Sequence, residues 1–293
     1  MTELSTRSRT RSRQALSNIS NNELVSTVTK TKTQTILKRS SFRKGKPNQE
    51  LEQYDVYKNM RFNELRYYRC EDYMTSTLQA HLCHSMRTML VAWLVEVMEE
   101  FKLSSQTLHI AVYILDGFLA RHFNVKPCIL QLIGITCMFI AAKYEEIHPL
   151  DPKDCSYITD YTYTAQQVLS MEQRILVTMQ FRISVVTSIE FRHRFQCEHP
   201  LVEYLLELTL REPMCLVHKP SELAAAACAY VRAAIGQSIW PSSMQSRTGY
   251  TFGALRGLLE EIRNLHWRNF KVPAARYSQL AEILPLASIP SSI

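Results

Sequence analysis

The stretch Met86–Val97, MRTMLVAWLVEV, decides the fold of this chain. Its apolar residues recur at every third or fourth position, which is the period that places side chains on one face of an α-helix. Two charged residues interrupt this pattern, since Arg87 borders the apolar face and Glu96 follows Trp93 near its end. A buried core helix explains the apolar spacing alone. The added charges indicate a helix that also borders a groove able to bind another molecule.

The composition of the 293-residue chain is that of a folded protein from a reducing compartment. Its hydrophobic fraction of 46% is sufficient for a core. We find no apolar run that approaches the length of about 18–20 residues that crosses a membrane, and no secretory signal. The eight cysteines are scattered without a C-x-x-C pair, which predicts the cytosol or nucleus. We therefore expect a protein of the nucleus and cytoplasm with no membrane partner.

The first 46 residues differ from the rest of the chain. They hold eleven Lys and Arg against two acidic residues, a net charge of +9, whereas the whole chain carries +7. Because this segment offers too little apolar surface to offset the entropy of ordering it, we predict a disordered basic tail. Its only aromatic residue is Phe42. Without aromatic residues to stack on bases, the tail does not indicate a nucleic-acid partner.

From about residue 50 the pattern predicts helices. Proline, which breaks helix interiors, falls between apolar periodic runs, and no run shows the alternation typical of a strand. The predicted fold is all-α, with a lead helix at 50–67, a first group at 85–102, 105–122, 127–146, 151–159 and 164–180, and a second group at 188–196, 200–212, 220–236, 241–247 and 251–269.

The two groups of helices repeat each other. The pattern Y-T-x-x-x-V-x-x-M at 163–171 returns as Y-T-x-x-x-L-x-x-L at 250–258, an offset of 87 residues. The same offset carries the small-residue run around Ala142 onto the one around Ala229. Since a helix of small residues lets its neighbours approach closely, we predict two five-helix bundles, each built around one such helix.

Five residues in order, each inside a characteristic phrase, carry a family resemblance: Arg87 in MRTML, Asp116 in YILDGFL, Leu132 in ILQLIG, Lys143 in AAKYEEI and Glu172 in VLSMEQRIL. With YITDYTYT at 157–164, they make region 50–270 resemble a cyclin of the mitotic A/B kind, most like a B-type cyclin. The resemblance implies two tandem five-helix cyclin boxes and a regulatory subunit of a cyclin-dependent protein kinase. It implies no enzyme activity, no catalytic residue and no cofactor.

The resemblance also divides the chain. It gives a tail at 1–48, an N-terminal helix and linker at 49–84, and a first cyclin box at 85–184. A second cyclin box covers 185–272, and a C-terminal extension covers 273–293. The connection between the boxes at 191–200 is short, so we expect a shortened first helix in the second box, with altered packing as an open question.

Two pairs of charged side chains have predicted roles. Arg87 and Asp116 border successive apolar helices, and an unpaired internal charge is very costly, so we predict a structural salt bridge between them rather than a partner contact. By resemblance, Lys143 and Glu172 face the kinase. The alternative for the second pair is an internal ion pair on a solvated face. Their apolar surround, which matches family positions that pack on the kinase, consists of Tyr144, Ile147, Phe181 and Ile183.

The resemblance implies a partner for the groove beside the helix Met86–Val97. In cyclins it binds Arg-x-Leu-type peptides of substrates or inhibitors, with the peptide leucine in an apolar slot and its arginine on an acidic side chain. The matching positions here are Met86, Met89, Leu90, Trp93, Glu96, Leu130 and Gln131. This chain departs from the family at one position among them: where the family phrase L-V-D-W has an acidic residue, this chain has Ala92.

The tail holds a degradation motif by resemblance. Its nine residues from position 13, RQALSNISN, fit the pattern R-x-x-L-x-x-I-x-N of a B-type destruction box, with Arg13, Leu16, Ile19 and Asn21 at the defining positions. This implies a ubiquitin ligase of the anaphase-promoting type as a partner. The implied role is control of the G2/M transition and of mitotic exit.

Other chemistry is disfavoured. The spacing of His81, Cys83 and His84, with Cys70 upstream, fits no common tetrahedral zinc set, so we expect no metal site. Glu145 and the next residue point about 100° apart on a helix and would not converge as an acid pair. The alternative to kinase activation is a cyclin-fold scaffold or transcription-type factor acting through the same helices.

Overall fold

The computed structural model describes residues 49–67, 72–74 and 79–269, with side chains from residue 55 onward. Helices and turns make up these residues, and none of them lies in a β-strand. The predicted all-α class is confirmed for this part of the chain. The predicted disordered tail, its destruction box and the extension at 273–293 lie outside the described residues.

Within the residues that the structure describes, twelve α-helices follow one another. The lead helix is α1, Gln49–Tyr67. The first repeat contains α2, His84–Glu100; α3, Ser105–Leu119; α4, Leu130–Glu145; α5, Pro152–Ile158; and α6, Ala165–Thr178. The second contains α7, Ser188–Phe195; α8, Pro200–Arg211; α9, Met214–Val217; α10, Pro220–Ala234; α11, Ser242–Thr248; and α12, Phe252–Asn269. All predicted helices are present with ends shifted by three residues or fewer, and α9 was not predicted.

Side chains cap several of these helices. Thr164 precedes α6 and accepts from the backbone N–H of Gln167, while the Gln167 side chain accepts from the backbone N–H of Thr164 at 2.8 Å. The same reciprocal pattern joins Thr187 and Glu190 at α7. Such boxes satisfy N–H groups that have no partner inside the helix. The box at Thr164 therefore fixes the start of α6.

Two small-residue helices lie at the centres of the repeats. The α4 helix packs on α2, α3, α5 and α6, and α10 packs on α7, α8 and α12. Every residue of α4 from Leu132 to Ala142 is buried, as is every residue of α10 from Leu223 to Val231. Gly134 shows why small residues are needed, since a Cβ there would lie 2.7 Å from Leu90 Cδ1. The two predicted bundles are confirmed.

The central helix α4 corrects one expectation. The stretch Pro127–Glu145, which joins a short 3₁₀ helix to α4, is long and apolar enough by composition to cross a membrane. The view that no stretch approaches that length was wrong, because it counted only uninterrupted apolar residues. Two-thirds of the apolar window, 67%, is buried inside the protein. The apolar character of this helix therefore fits the core of a bundle.

The short connection between the repeats does not disturb the packing of the helices around it. The α7 helix has only 8 residues and ends at Phe195, and the next residue, Gln196, has a left-handed φ of 58°. His199 then caps α8 by accepting from the backbone N–H of Leu201 at 3.2 Å. Phe191 and Phe195 on α7 are fully buried. The first helix of the second repeat is therefore short but well packed.

The lead helix α1 packs on the second repeat. The Tyr57 hydroxyl donates to the Thr248 carbonyl at 2.6 Å. Glu64 is fully buried and accepts from the backbone N–H of Ser221 at 2.7 Å, at the start of α10. Burial raises the pKa of Glu64, and the hydrogen bonds from Ser221 oppose that rise. Arg61 pairs with Glu64 at 2.7 Å, so a polar cluster fixes α1 against the start of the central helix.

Candidate partner-binding surface

The structure brings Arg87 and Asp116 together as a bidentate pair. Arg87 Nε donates to Asp116 Oδ1 and Arg87 Nη2 donates to Asp116 Oδ2, each at 2.7 Å. The Tyr73 hydroxyl donates to Asp116 Oδ1, also at 2.7 Å. Burial lowers the pKa of Arg87, but the Asp116 carboxylate together with Cys215 and Tyr73 outweighs burial, and the pKa lies well above its usual value. This pair fixes α2 against α3.

Arg87 also reaches the second repeat, which the sequence did not reveal. Its Nη1 donates to the Leu210 carbonyl at 2.8 Å, and its Nη2 lies 3.1 Å from Cys215 Sγ. Thr88, the next residue, donates to the Arg211 carbonyl at 2.8 Å. These carbonyls end α8, where backbone oxygens lack helical partners. One buried guanidinium therefore joins both repeats.

Lys143 and Glu172 lie together on the surface of the first repeat. Lys143 is in the last turn of α4, and its Nζ forms an ion pair with Glu172 Oε1 from the middle of α6. The Lys143 ammonium also lies 4.1 Å from the centre of the Phe139 ring. The side chains are 40% and 13% exposed. The pair therefore holds a fixed position at the surface while its lysine stays accessible.

Apolar side chains that follow Lys143 and Glu172 in the chain are left exposed or only partly buried. Tyr144 is 50% exposed, Phe181 69% and Ile147 91%, whereas Ile183 packs partly against the core. Phe181 also has a left-handed φ of 57°, which is uncommon for a bulky residue and occurs preferentially at functional sites. Exposed apolar side chains of this size around fixed charges are typical of a protein interface.

Three further apolar residues extend this surface, and they were missed from the sequence. Leu169 and Leu176 lie three residues before and four residues after Glu172 on α6, and Val177 is the next residue. Leu169 is 37% exposed and Val177 66% exposed. The spacing of Leu169 and Leu176 from Glu172 was the available signal, and Val177 had none. We define the kinase-face patch, so named because the sequence predicts that it faces a kinase, as Lys143, Tyr144, Ile147, Leu169, Glu172, Leu176, Val177, Phe181 and Ile183.

Glu146 positions the loop that carries Ile147. Its Oε1 accepts from the backbone N–H of Ser104 at 2.7 Å and from the Thr107 hydroxyl, so it caps the start of α3. Burial raises the pKa of Glu146, but these hydrogen bonds outweigh it and the net pKa is lowered. Burial and the charge of Glu146 raise the pKa of Glu145. Glu146 therefore has a structural role.

The groove residues on α2 divide by depth. Leu90 and Leu130 are 7% and 6% exposed and form an apolar floor where α2 packs on α4. Met89 is 64% exposed and Glu96 is also exposed. Partly buried side chains occupy the remaining positions, which are Met86, Trp93 and Gln131. An apolar floor with an accessible carboxylate has the chemistry to bind a peptide that carries an apolar and a basic side chain.

Within the described ranges 49–67, 72–74 and 79–269, no three His, Cys, Asp or Glu side chains could hold a metal ion together. His84 Nε2 lies 3.1 Å from Asp72 Oδ2, and Cys83 Sγ lies 3.0 Å from the Ser85 hydroxyl. Cys70, the fourth residue of the disfavoured zinc set, lies outside the described residues.

Two family profiles match this chain. The cyclin N-terminal domain matches residues 55–184, and the cyclin C-terminal domain matches residues 177–281. Among curated proteins, a G2/mitotic-specific cyclin-A from Hydra viridissima is 39% identical over 230 residues, which are 74% of this chain and 54% of that protein. A G2/mitotic-specific cyclin-B from Hydra vulgaris is 38% identical over 246 residues, 80% of this chain and 67% of that protein.

Solved structures show the same fold. A viral cyclin from herpesvirus saimiri has a TM-score of 0.62 at 17% identity, covering 72% of this chain and 96% of that one. A chain of the yeast RNA Pol II CTD kinase CTDK-1 complex has a TM-score of 0.54 at 15% identity, covering 77% of this chain and 81% of that one. At these identities the likeness concerns the fold.

The chain belongs to the cyclin family. Its relatives are A- and B-type cyclins at similar identity, so it is a cyclin of the mitotic A/B type, and the leaning toward B-type stays a prediction. Cyclins are regulatory subunits of protein kinases and not enzymes. The chain spans about half the length of several curated relatives that it matches.

Proposed function

We propose that this cyclin binds and activates a mitotic cyclin-dependent protein kinase through the kinase-face patch. One observation carries the proposal: an ion pair between Lys143 and Glu172 lies among apolar side chains that the folded chain leaves exposed. A partner that covers this patch would remove those apolar groups from water. It would also receive two charges whose positions are already fixed, so little further ordering is needed on binding.

The groove residues on α2 support a second proposed function, and we call this surface the docking groove. We propose that it holds Arg-x-Leu-type peptides, with the leucine on the floor formed by Leu90 and Leu130 and the arginine near Glu96. Since Ala92 replaces the acidic residue of the family phrase, electrostatic attraction for basic peptides rests more heavily on Glu96.

The tail motif supports a proposal on turnover. We propose that Arg13, Leu16, Ile19 and Asn21 form a destruction box read by a ubiquitin ligase of the anaphase-promoting type. Five lysines downstream are available as acceptors: Lys30, Lys32, Lys38, Lys44 and Lys46. Degradation at mitotic exit, and residence in both nucleus and cytoplasm, complete the proposed role at the G2/M transition.

The experiment that tests kinase activation combines purified chain with candidate cyclin-dependent kinases and measures phosphorylation of a histone-type substrate. We expect activity with the native chain and a loss of at least about tenfold in Lys143→Ala with Glu172→Ala, since truncation at the centre of an interface commonly costs more than about 1.4 kcal/mol. The matched control is Arg256→Ala with Glu260→Ala, which removes an exposed ion pair on α12.

Two outcomes would contradict the proposal. Full activation by the Lys143 and Glu172 double variant would place the interface elsewhere. A kinase that binds the native chain without gaining activity would favour the cyclin-fold scaffold or transcription-type factor.

Removal of the destruction box tests the proposal on turnover. We expect that Arg13→Ala with Leu16→Ala makes the full chain persist after mitosis, because an extended peptide must present both side chains to its ligase. The measurement is the half-life of the protein in synchronised cells after release from mitosis. Turnover equal to that of the native chain would contradict this role.

A further inference from the structure

An open cavity of about 410 Å³ lies between α9 and the last turns of α12. It belongs neither to the kinase-face patch nor to the docking groove. Pro213, Met214 and Val217 supply its apolar side, and Val217 is 52% exposed. Since apolar groups gain free energy when they leave water, this side of the cavity favours the binding of another apolar segment.

Carboxylates form much of the polar side of the cavity. Glu212 follows the end of α8, and Glu261 lies on α12 with its side chain 55% exposed. The lining also contains Arg268 and His218, whose Nε2 lies 3.7 Å from Glu261 Oε2. Two carboxylates against one guanidinium leave negative charge in excess while His218 is neutral. The cavity therefore attracts a cationic side chain.

The segment that follows α12 begins beside this cavity. The helix ends at Asn269, and Arg268, the residue before it, belongs to the lining. Residues 270–281 lie outside the described residues, but the profile of the cyclin C-terminal domain matches the chain up to residue 281. The matched domain therefore continues past α12, from a starting point at the edge of the cavity.

The sequence of residues 270–281, FKVPAARYSQLA, complements the cavity. Lys271 and Arg276 give this segment two positive charges and it holds no acidic residue, which matches the excess of carboxylate in the lining. Tyr277 and Leu280 offer apolar surface for the side formed by α9. The segment therefore has both kinds of side chain that the cavity is suited to bind.

The segment is also long enough to reach back into the cavity. Arg276 is the seventh residue after Asn269, so an extended chain places it up to about 23 Å away. Glu261 is eight residues before Asn269 on α12, which is about 12 Å along the helix axis. Pro273, which is unsuited to a helix interior, separates Asn269 from Arg276. A return toward Glu261 therefore needs only part of the available length.

We propose that residues 270–281 dock in this cavity, with the Arg276 guanidinium at the Glu261 carboxylate and apolar side chains of the segment against Val217. Hydrogen bonds between a guanidinium and a carboxylate are stronger than those between neutral groups, and their planar geometry fixes the position of the bound segment. The apolar contact with Val217 adds the removal of its side chain from water. The proposal is independent of the proposed kinase contact.

Docking would support the contact between the two repeats. The α9 helix lies beside the cavity and also carries Cys215, which is buried and whose Sγ lies 3.1 Å from Arg87 Nη2. A segment bound in the cavity would therefore cover the outer side of the helix whose inner side contacts the first repeat.

Hydrogen exchange followed by mass spectrometry tests the docking in the full chain without a kinase. In Glu261→Lys the lining repels Arg276, so we expect the backbone amides of residues 270–281 to exchange at least about fivefold faster than in the native chain. The matched control is Glu260→Lys on the same helix. Glu260 is 50% exposed, pairs with Arg256 and is not part of the lining, so this variant should exchange like the native chain.

A charge exchange makes the test specific. Arg276→Glu alone should speed the exchange of residues 270–281 as Glu261→Lys does, and the combination of both substitutions should restore the native rate. Circular dichroism checks that each variant is folded. Equal exchange in the native chain, Glu261→Lys and Glu260→Lys would overturn the proposal. So would protection that is lost on tenfold dilution together with a dimer in sedimentation velocity, since a second copy of the chain would then cover the segment.

Discussion

Charged side chains of this cyclin have different roles because they differ in burial. Arg87 is 1% exposed, and its donors are directed to Asp116 and to the end of α8, so its charge is used inside the protein. Lys143 is 40% exposed, and its bond to Glu172 leaves donor capacity for another molecule. A buried pair of this kind is expensive to break, whereas an exposed pair contributes little to stability. This difference assigns Arg87 to the fold and Lys143 to the proposed partner.

Another residue makes stability depend on pH. Burial lowers the pKa of His266 on α12 to about 4, from an ordinary value of 6.5. The unfolded chain therefore binds more protons than the folded chain between these values, and the free energy of unfolding must fall as pH falls from 6.5 toward 4. We expect a loss of up to about 3 kcal/mol, since one pKa unit corresponds to about 1.4 kcal/mol.

Urea unfolding at several pH values measures this dependence. His266→Gln should flatten the slope between pH 6.5 and 4, and the control His148→Gln, at an exposed position, should leave the slope unchanged. The same slope in the native protein and both variants would show that His266 does not cause the pH dependence.

At the scale of elements, helix ends build the kinase-face patch. The last turn of α4 supplies Lys143, and Glu146 just beyond it caps α3 and so fixes the loop that bears Ile147. The turn after α6 places Phe181, whose backbone N–H donates to the Leu176 carbonyl at 2.9 Å. The interiors of these helices were predictable from their apolar period. The turns after them were not, because their geometry depends on caps from distant segments such as Ser104.

Removing one cap tests this view of α6. Thr164→Ala should lower the free energy of unfolding by about 1 kcal/mol, because the N–H group of Gln167 loses its side-chain acceptor. The matched control is Thr162→Ala, at an exposed position two residues earlier. Urea unfolding followed by circular dichroism measures both. Equal stability of the two variants would show that the box contributes nothing.

At the scale of the molecule, the two repeats and the lead helix form a set of packed bundles. The 87-residue offset was predictable, since Thr164 and Thr251 both precede the last helix of their repeat. The contacts between repeats were not, because Arg87 and Leu210 lie 123 residues apart and no local pattern links them. The surface role of Met89 and the burial of Leu90 also followed only from packing, since both fit the apolar period.

Loss of the inter-repeat guanidinium should destabilise the whole chain. Arg87→Ala leaves Asp116 without its cation and frees the Leu210 carbonyl, so we expect a loss of at least about 3 kcal/mol. Arg256→Ala removes the same charge from an exposed pair on α12 and should cost less than about 1 kcal/mol. Urea unfolding followed by tryptophan fluorescence compares them. Similar losses in the two variants would contradict a joining role for Arg87.

Kinase binding through the kinase-face patch is tested most directly by the dissociation constant of the full chain and a mitotic cyclin-dependent kinase. Titration calorimetry measures it for two matched variants. Phe181 and Phe123 are each 69% exposed, but only Phe181 belongs to the kinase-face patch. We expect Phe181→Ala to raise the dissociation constant at least about tenfold, or about 1.4 kcal/mol, and Phe123→Ala to leave it unchanged. An equal effect of the two substitutions, or none from Phe181→Ala, would contradict kinase binding through the kinase-face patch.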